Sequence, residues 1–100
     1  MFEMLGLSFD WEEDKAETNA IKHGIGFEEA ASVFIDVMAT IIEDPDHSQE
    51  EHRRIIIGLS NKPRVLFVSY TERGDHIRII SARKATSNEQ RQHEANPRNR

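Results

Sequence analysis

The sequence predicts an α+β protein: a mostly antiparallel sheet of four to five strands packed with two N-terminal helices and a short C-terminal helix, in the order β-α-α-β-β-β-β-α. Three observations lead there. Phe27, Ala30, Ala31 and Phe34 recur at i, i+3, i+4, i+7, the stripe of a helix lying on a core. Residues 53–60, 65–71 and 76–82 are rich in isoleucine, valine and aromatics and are joined by turn-forming residues, which marks hairpins. The helices precede the strand meander in sequence, which favours an α+β layer over a doubly wound parallel sheet. One hundred residues are enough for one domain and too few for two. Residues 1–6 and 96–100 are expected to be flexible at its ends.

Each element has its own local reason. Phe9-Asp10-Trp11 alternates apolar and polar and ends a first strand. Asp10 and Glu13 have capping-box spacing, which opens a helix over residues 12–23 that Gly24 closes. Its apolar stripe (Ala16, Ala20, Ile21, His23) is weak, so the helix should be partly exposed, with Lys15, Asn19 and Lys22 on a polar face. Glu28 and Glu29 follow Phe27 in the first turn of the second helix, where the macrodipole favours anions. Residues 38–43 form a strand ending at the Asp44-Pro45-Asp46 turn, and residues 47–52 a polar loop. Asn61-Lys62-Pro63 and Arg73-Gly74-Asp75 link the last three strands. Along residues 76–82, simple alternation puts Ile77, Ile79 and Ser81 on one face, and His76, Arg78, Ile80 and Ala82 on the other. Ser87 and Gln90 give a second capping-box spacing, before a short polar helix reaching about Ala95.

Composition narrows the chemistry. Without cysteine there are no disulfides, thiolate metal sites or cysteine nucleophiles, which fits a reducing compartment. Residues 1–7 lack a basic segment and a long apolar core, so they are not read as a signal peptide. No run approaches the roughly 20 apolar residues of a membrane span. A soluble cytoplasmic protein is expected. The net charge of −5 is unevenly distributed: residues 1–52 hold 14 Asp/Glu against Lys15 and Lys22, and residues 53–100 hold 11 Lys/Arg against 4 Asp/Glu. The second half could build a basic surface, or the two halves could simply attract each other on folding.

Several familiar chemistries are excluded. His47 and His52 sit among acidic residues, but the spacing matches no standard zinc frame, and a solvated acidic loop is the simpler reading; no metal is expected. There is no GxSxG elbow. Gly24-Ile25-Gly26 joins two helices and is a turn rather than a dinucleotide fingerprint. The arginines remain. Arg73 lies at a hairpin tip, Arg78 inside an apolar strand, Arg83 beyond its end, and Arg53 at the start of an earlier strand. Arg78 must reach an acidic partner or line an open groove, because an unpaired buried charge is costly. Four arginines on one sheet suggest anion binding, with edge-strand ion pairs as the alternative.

Phe9-Asp10-Trp11, Lys22-His23-Gly24, Phe27-Glu28-Glu29-Ala30, Asp44-Pro45-Asp46-His47, Thr71-Glu72-Arg73-Gly74 and Arg78-Ile79-Ile80-Ser81-Ala82-Arg83 occur in the order found in the BrnT family, which the chain resembles over residues 9–94. The resemblance implies a RelE-like ribonuclease fold and a toxin of a type II toxin–antitoxin pair. It also implies a cognate BrnA-type antitoxin that binds operator DNA, so that this chain would meet DNA only through its partner. Arg54 stands where the family commonly has an aromatic residue, and His76 where it has a further basic one.

Metal-free RNA cleavage needs a base for the 2′ proton, cations for the phosphorane and an acid for the 5′ oxygen. The residues suited to these tasks are Arg78 and Arg83 as phosphorane stabilisers, His23 as acid or base, Lys22 as a phosphate holder, and Arg73 and Arg53 to position the backbone. Tyr70 and Trp11 are candidates for base stacking. Against these stand a helix-terminal role for His23 beside the macrodipole and a core role for Trp11. A non-catalytic regulator acting with the antitoxin as a co-repressor, or a structural partner whose acidic half binds a basic protein, would use the same surfaces differently.

Overall fold

The computed structural model describes residues 1–44 and 52–95. The Pro45-Asp46 part of the expected turn, residues 47–51 of the polar loop and the tail at 96–100 lie outside them. Six strands form one sheet: β1 (Phe2–Met4), β2 (Leu7–Asp10), β3 (Thr40–Glu43), β4 (Arg53–Leu59), β5 (Val65–Arg73) and β6 (His76–Lys84). Their spatial order is β1-β2-β6-β5-β4-β3. Every neighbouring pair is antiparallel except β2 and β6. The helices are α1 (Glu13–His23), α2 (Phe27–Ser32), which runs into a 3₁₀ turn at Val33–Ile35, and α3 (Ser87–Glu94). The α+β class and the element order stand as expected, with one strand added at the front. That strand, β1, falls within residues 1–6. It pairs with β2 across Leu5-Gly6, both at positive φ, as a tight hairpin of right-handed twist requires.

One face of the sheet carries the core. Ile56 of β4, Leu66, Val68 and Tyr70 of β5, and Ile79 and Ala82 of β6 pack under α2 and its 3₁₀ extension, together with Phe9 and Ile25. The expected stripe is here: Phe27, Ala30 and Ala31 are buried, and Phe34 packs edge-on against Phe9 and Tyr70. Gly58 of β4 sits where a Cβ would come within 3.0 Å of Val33 Cγ1 and 2.9 Å of Ala39, so α2's extension and the segment after it reach the sheet only over a glycine.

Helix α1 differs from its sequence reading in two ways. Its N-cap is Glu12, not Asp10, which belongs to β2 and whose carboxylate is engaged elsewhere. Gly24 does close the helix, in the left-handed region, donating to Ala20 O. Asn19, expected on the polar face with Lys15 and Lys22, is instead buried, while Ile21 is 80% exposed. Beyond Arg78 the edge of β6 is no longer covered by β2, and α1 takes that place. The Asn19 Nδ2 donates to Ala82 O at 2.8 Å and to Ile25 O at 3.0 Å, and Ala82 N donates to Asn19 Oδ1 at 3.1 Å. One amide side chain thus satisfies a strand edge as a backbone neighbour would.

At the C-terminal helix the capping box lies one residue earlier than expected. Thr86 is the N-cap and Glu89 the N3 partner, rather than Ser87 and Gln90. No helix of the described residues is long and apolar enough to cross a membrane.

Candidate functional site

The face of the sheet opposite the core carries the arginines. Register places Arg53 of β4 beside Thr71 of β5, Thr71 beside Arg78 of β6, and Arg78 beside Asp10 of β2, one row across four strands. Arg73 lies opposite His76 at the hairpin end of the same face. The alternation read from sequence breaks within β6. Tyr70 pairs with Ile79 and Ser69 with Ser81, so Ile80 is an extra residue, a β-bulge. Ser81 and Arg83 therefore share the face of Arg78, and Ala82 turns to the core with Ile79.

Arg78 and Arg83 are each held by a carboxylate. Arg78 donates from Nε and Nη2 to the Asp10 carboxylate at 3.2 and 3.0 Å, with Glu12 at 3.7 Å. Arg83 donates to both oxygens of Glu89 at 2.8 and 3.0 Å and stacks over the Phe67 ring at 3.9 Å. The two lie four β5 positions apart, about 13 Å along the strand, each gripped by its own carboxylate. They do not converge on one point. The Arg78 hydrogen bonds are the main reason the Asp10 carboxyl is held below its ordinary value; partial burial opposes them. The Arg83 hydrogen bonds do the same for Glu89. The attraction between acidic and basic halves is realised in the Arg78–Asp10 pair, and again where Arg64 grips the buried Glu29 and where Arg54 meets Glu43.

Two cations of α1, Lys15 and Lys22, make no ion pair among the described residues. With His23 they line an open groove of about 330 Å³ between α1 and β6, with Asp14, Thr18 and Asn19 on the helix and Ile80 and Ser81 on the strand. Because Ser81 shares the face of Arg78 and Arg83, this groove opens beside the arginine face. Lys22 and His23 occupy the last turn of α1, where its dipole favours positive charge, as the helix-terminal reading of His23 requires.

The aromatic candidates lie elsewhere. Tyr70 is 3% exposed and faces the core, its ring centroid 4.9 Å from that of Phe34, so it offers no surface for a base. Burial chiefly pushes its hydroxyl pKa up. Trp11 packs against Phe2 and Phe27 at centroid distances of 5.9 and 5.8 Å, which is its core reading. Sequence reasoning passed over Asp10 and His76 as site residues. The His76 Nε2 lies 3.2 Å from Asp10 Oδ2, beside the Arg78 contact. The only signal for Asp10 was a charged residue needed by the arginine of an apolar strand, and it is 68 residues away in sequence.

Among the described residues no group of three or more His, Asp or Glu is arranged to hold a metal ion. His47, Glu50 and Glu51, considered in the sequence as a metal cluster, lie outside those residues.

Comparison with known proteins gives two findings. The family model described as "Ribonuclease toxin, BrnT, of type II toxin-antitoxin system" matches residues 11–89. The crystal structure of the Brucella abortus ribonuclease toxin BrnT superposes with a TM-score of 0.64 at 24% identity, covering 81% of this chain and 99% of that one. That likeness is one of fold. No curated protein matches the sequence.

Proposed function

The chain belongs to the BrnT family of ribonuclease toxins of type II toxin–antitoxin systems, and from that premise we propose that it cleaves RNA in the cytoplasm without a metal, along the arginine face and the adjoining α1–β6 groove. The observation that carries this reading is the groove itself. Lys15 and Lys22 make no ion pair among the described residues and line it with His23 and Asp14, beside a strand whose Arg78 and Arg83 are already oriented. An RNA strand laid along β6 would put one phosphate in the groove and others near Arg83 and Arg78, with Arg73 and Arg53 steering the backbone. Arginine forks fixed by Asp10 and Glu89 need no further ordering to meet phosphate oxygens, which preorganises them for developing charge. His23 has no orienting hydrogen bond to its ring among the described residues, so we place it with Lys22 as a phosphate contact. Tyr70 and Trp11 have no part in this reading.

A toxin of this class implies an antitoxin partner. In our reading the partner is a DNA-binding protein of the BrnA type, which reaches operator DNA itself and neutralises this chain by covering the basic face.

The test is cleavage of several RNAs by the purified, antitoxin-free chain in excess chelator. Cleavage should persist with chelator and should fall in Arg78→Ala and in Lys15→Ala/Lys22→Ala. Full growth arrest by folded variants of both kinds would sink the site. Absence of any cleavage by the wild-type chain would leave the co-repressor role in its place.

A further inference from the structure

The hairpin end of the arginine face holds a cluster that the arginine row does not account for. Asp10 of β2 accepts from Arg78 through both oxygens, and its Oδ2 also faces the His76 Nε2 at 3.2 Å. The other ring nitrogen, Nδ1, lies 3.4 Å from the fully exposed carboxylate of Asp75. Arg73 is the cross-strand partner of His76, and it too acts on the Asp10 charge. The charged groups facing the imidazole are therefore Asp10 from β2, Asp75 from the turn, Arg73 from β5 and Arg78 from β6 itself.

A carboxylate accepts and cannot donate, so a proton on Nε2 would face Asp10 across this ion-pair contact. The contact holds that edge of the ring beside Asp10, as a carboxylate does for histidine in acid–base catalysis. The Asp75 carboxylate at Nδ1 gives the second ring nitrogen an acceptor of its own. Asp75 makes no other ion pair or side-chain hydrogen bond among the described residues. A phosphate ester entering between the two arginines can displace it and take the Nδ1 proton. Asp10, His76 and Arg78 are each only about a quarter exposed, so the ring and fork are held while one edge stays open.

We propose that His76, oriented by Asp10, is the general acid of RNA cleavage, with Arg73 and Arg78 beside it for the phosphorane. This rests on the RNA-cleaving reading above and assigns a step that reading left open. The ribose 2′-oxygen forms its bond to phosphorus as its proton passes to water. The P–O5′ bond breaks, and the 5′-oxygen takes the Nδ1 proton of His76. The neutral ring then recovers a proton from solvent, leaving a 2′,3′-cyclic phosphate and a 5′-hydroxyl with no change of oxidation state. Asp10 acts through His76 and is a positioning residue.

The experiment compares His76→Gln and Asp10→Asn with wild type on an oligonucleotide that wild type cleaves, and on the same oligonucleotide carrying sulfur as the 5′-bridging atom of the cleaved bond. A thiolate leaves without protonation, so the need for an acid disappears. His76→Gln should be about 100-fold slower on the oxygen substrate, should lose the alkaline limb of the pH–rate profile, and should cleave the sulfur substrate near the wild-type rate. Asp10→Asn should show the same relief by sulfur. Equal slowing on both substrates, or an unchanged oxygen rate in folded His76→Gln, overturns the assignment while leaving the ribonuclease reading intact. A wild-type chain that cleaves neither substrate overturns both.

Discussion

Arg78 and Arg83 project from one face of the sheet although they stand five positions apart on β6, an odd interval that places side chains on opposite faces of a regular strand. The extra residue is Ile80, opposite the Ser69–Tyr70 step. Deleting Ile80 would leave Ile79 and Ser81 adjacent opposite Tyr70 and Ser69, and regular alternation would keep Arg83 on the arginine face and Ala82 in the core. The deletion should therefore still fold cooperatively by circular dichroism and urea titration. Loss of the cooperative transition would show that the fold needs the bulge itself and not only the facing it produces. Ile80→Ala keeps the register and should lose only about 1–2 kcal/mol, since the side chain is half-buried.

Asn19 makes the second structural decision at this edge. Its amide serves three backbone groups at once, two on Ala82 and one on Ile25. Asn19→Ala leaves them without those partners and should cost about 2–4 kcal/mol in urea unfolding. Asn19→Asp should be worse, because a carboxylate would face the two carbonyls to which Nδ2 now donates. Equal stability of Asp and Asn at neutral pH would show that α1 is not held by this contact.

These two positions also show what the sequence could and could not reveal. The α2 stripe and the Gly24 cap were legible because helix period and left-handed glycine are local signals. The bulge was not, because one inserted residue in an isoleucine-rich strand leaves the composition unchanged and only pairing with β5 exposes it. Asp10 was misread as a cap because D-x-x-E spacing is satisfied equally by a residue whose partner, Arg78, arrives from β6. Thr86-x-x-Glu89 and Ser87-x-x-Gln90 are both formally capping boxes. The first prevails in a chain where Glu89 also meets Arg83. Tyr70 was offered as a stacking surface because an aromatic at a strand position carries no mark of which face it will occupy. The arginine face was thus readable as a set of residues, but its carboxylate partners were not.

Acid should unfold the protein through those carboxylates. Hydrogen bonds from Arg78 lower Asp10, those from Arg64 lower Glu29, and those from Arg83 lower Glu89. Burial pushes Asp36 up, but the backbone N–H groups of Leu59 and Met38 and the His93 ring outweigh it and leave Asp36 lowered as well. Ordinary values are 3.8 for Asp and 4.5 for Glu. A carboxylate lowered in the folded state stabilises it above the ordinary value and loses that contribution as pH falls through the lowered one. Urea midpoints should hold steady down to about pH 5 and then decline with falling pH. Arg64→Met should lower the neutral midpoint, since it strands the buried Glu29, and should make the acid decline shallower. A midpoint that rises on acidification would contradict the ion-pair account.

The salt dependence of RNA binding separates cations that meet phosphate from those that serve the fold. Each phosphate neutralised on a single strand contributes about −0.7 to the slope of log K against log salt. Lys22 has no carboxylate partner among the described residues, so Lys22→Ala should make the slope shallower by about that amount with stability nearly unchanged. Arg64 lies in the buried pair with Glu29, and Arg64→Met should lower stability while leaving the slope alone. Arg83 belongs to both classes, through Glu89 and through its face. Arg83→Ala should reduce the slope and the unfolding free energy together, the latter by about 1–2 kcal/mol for a half-exposed bidentate pair and its ring contact. Binding on a short uncleavable RNA, measured from about 50 to 300 mM salt, reads all three variants in one series. A Lys22→Ala slope identical to wild type would remove the groove from the RNA path and leave the arginine face alone.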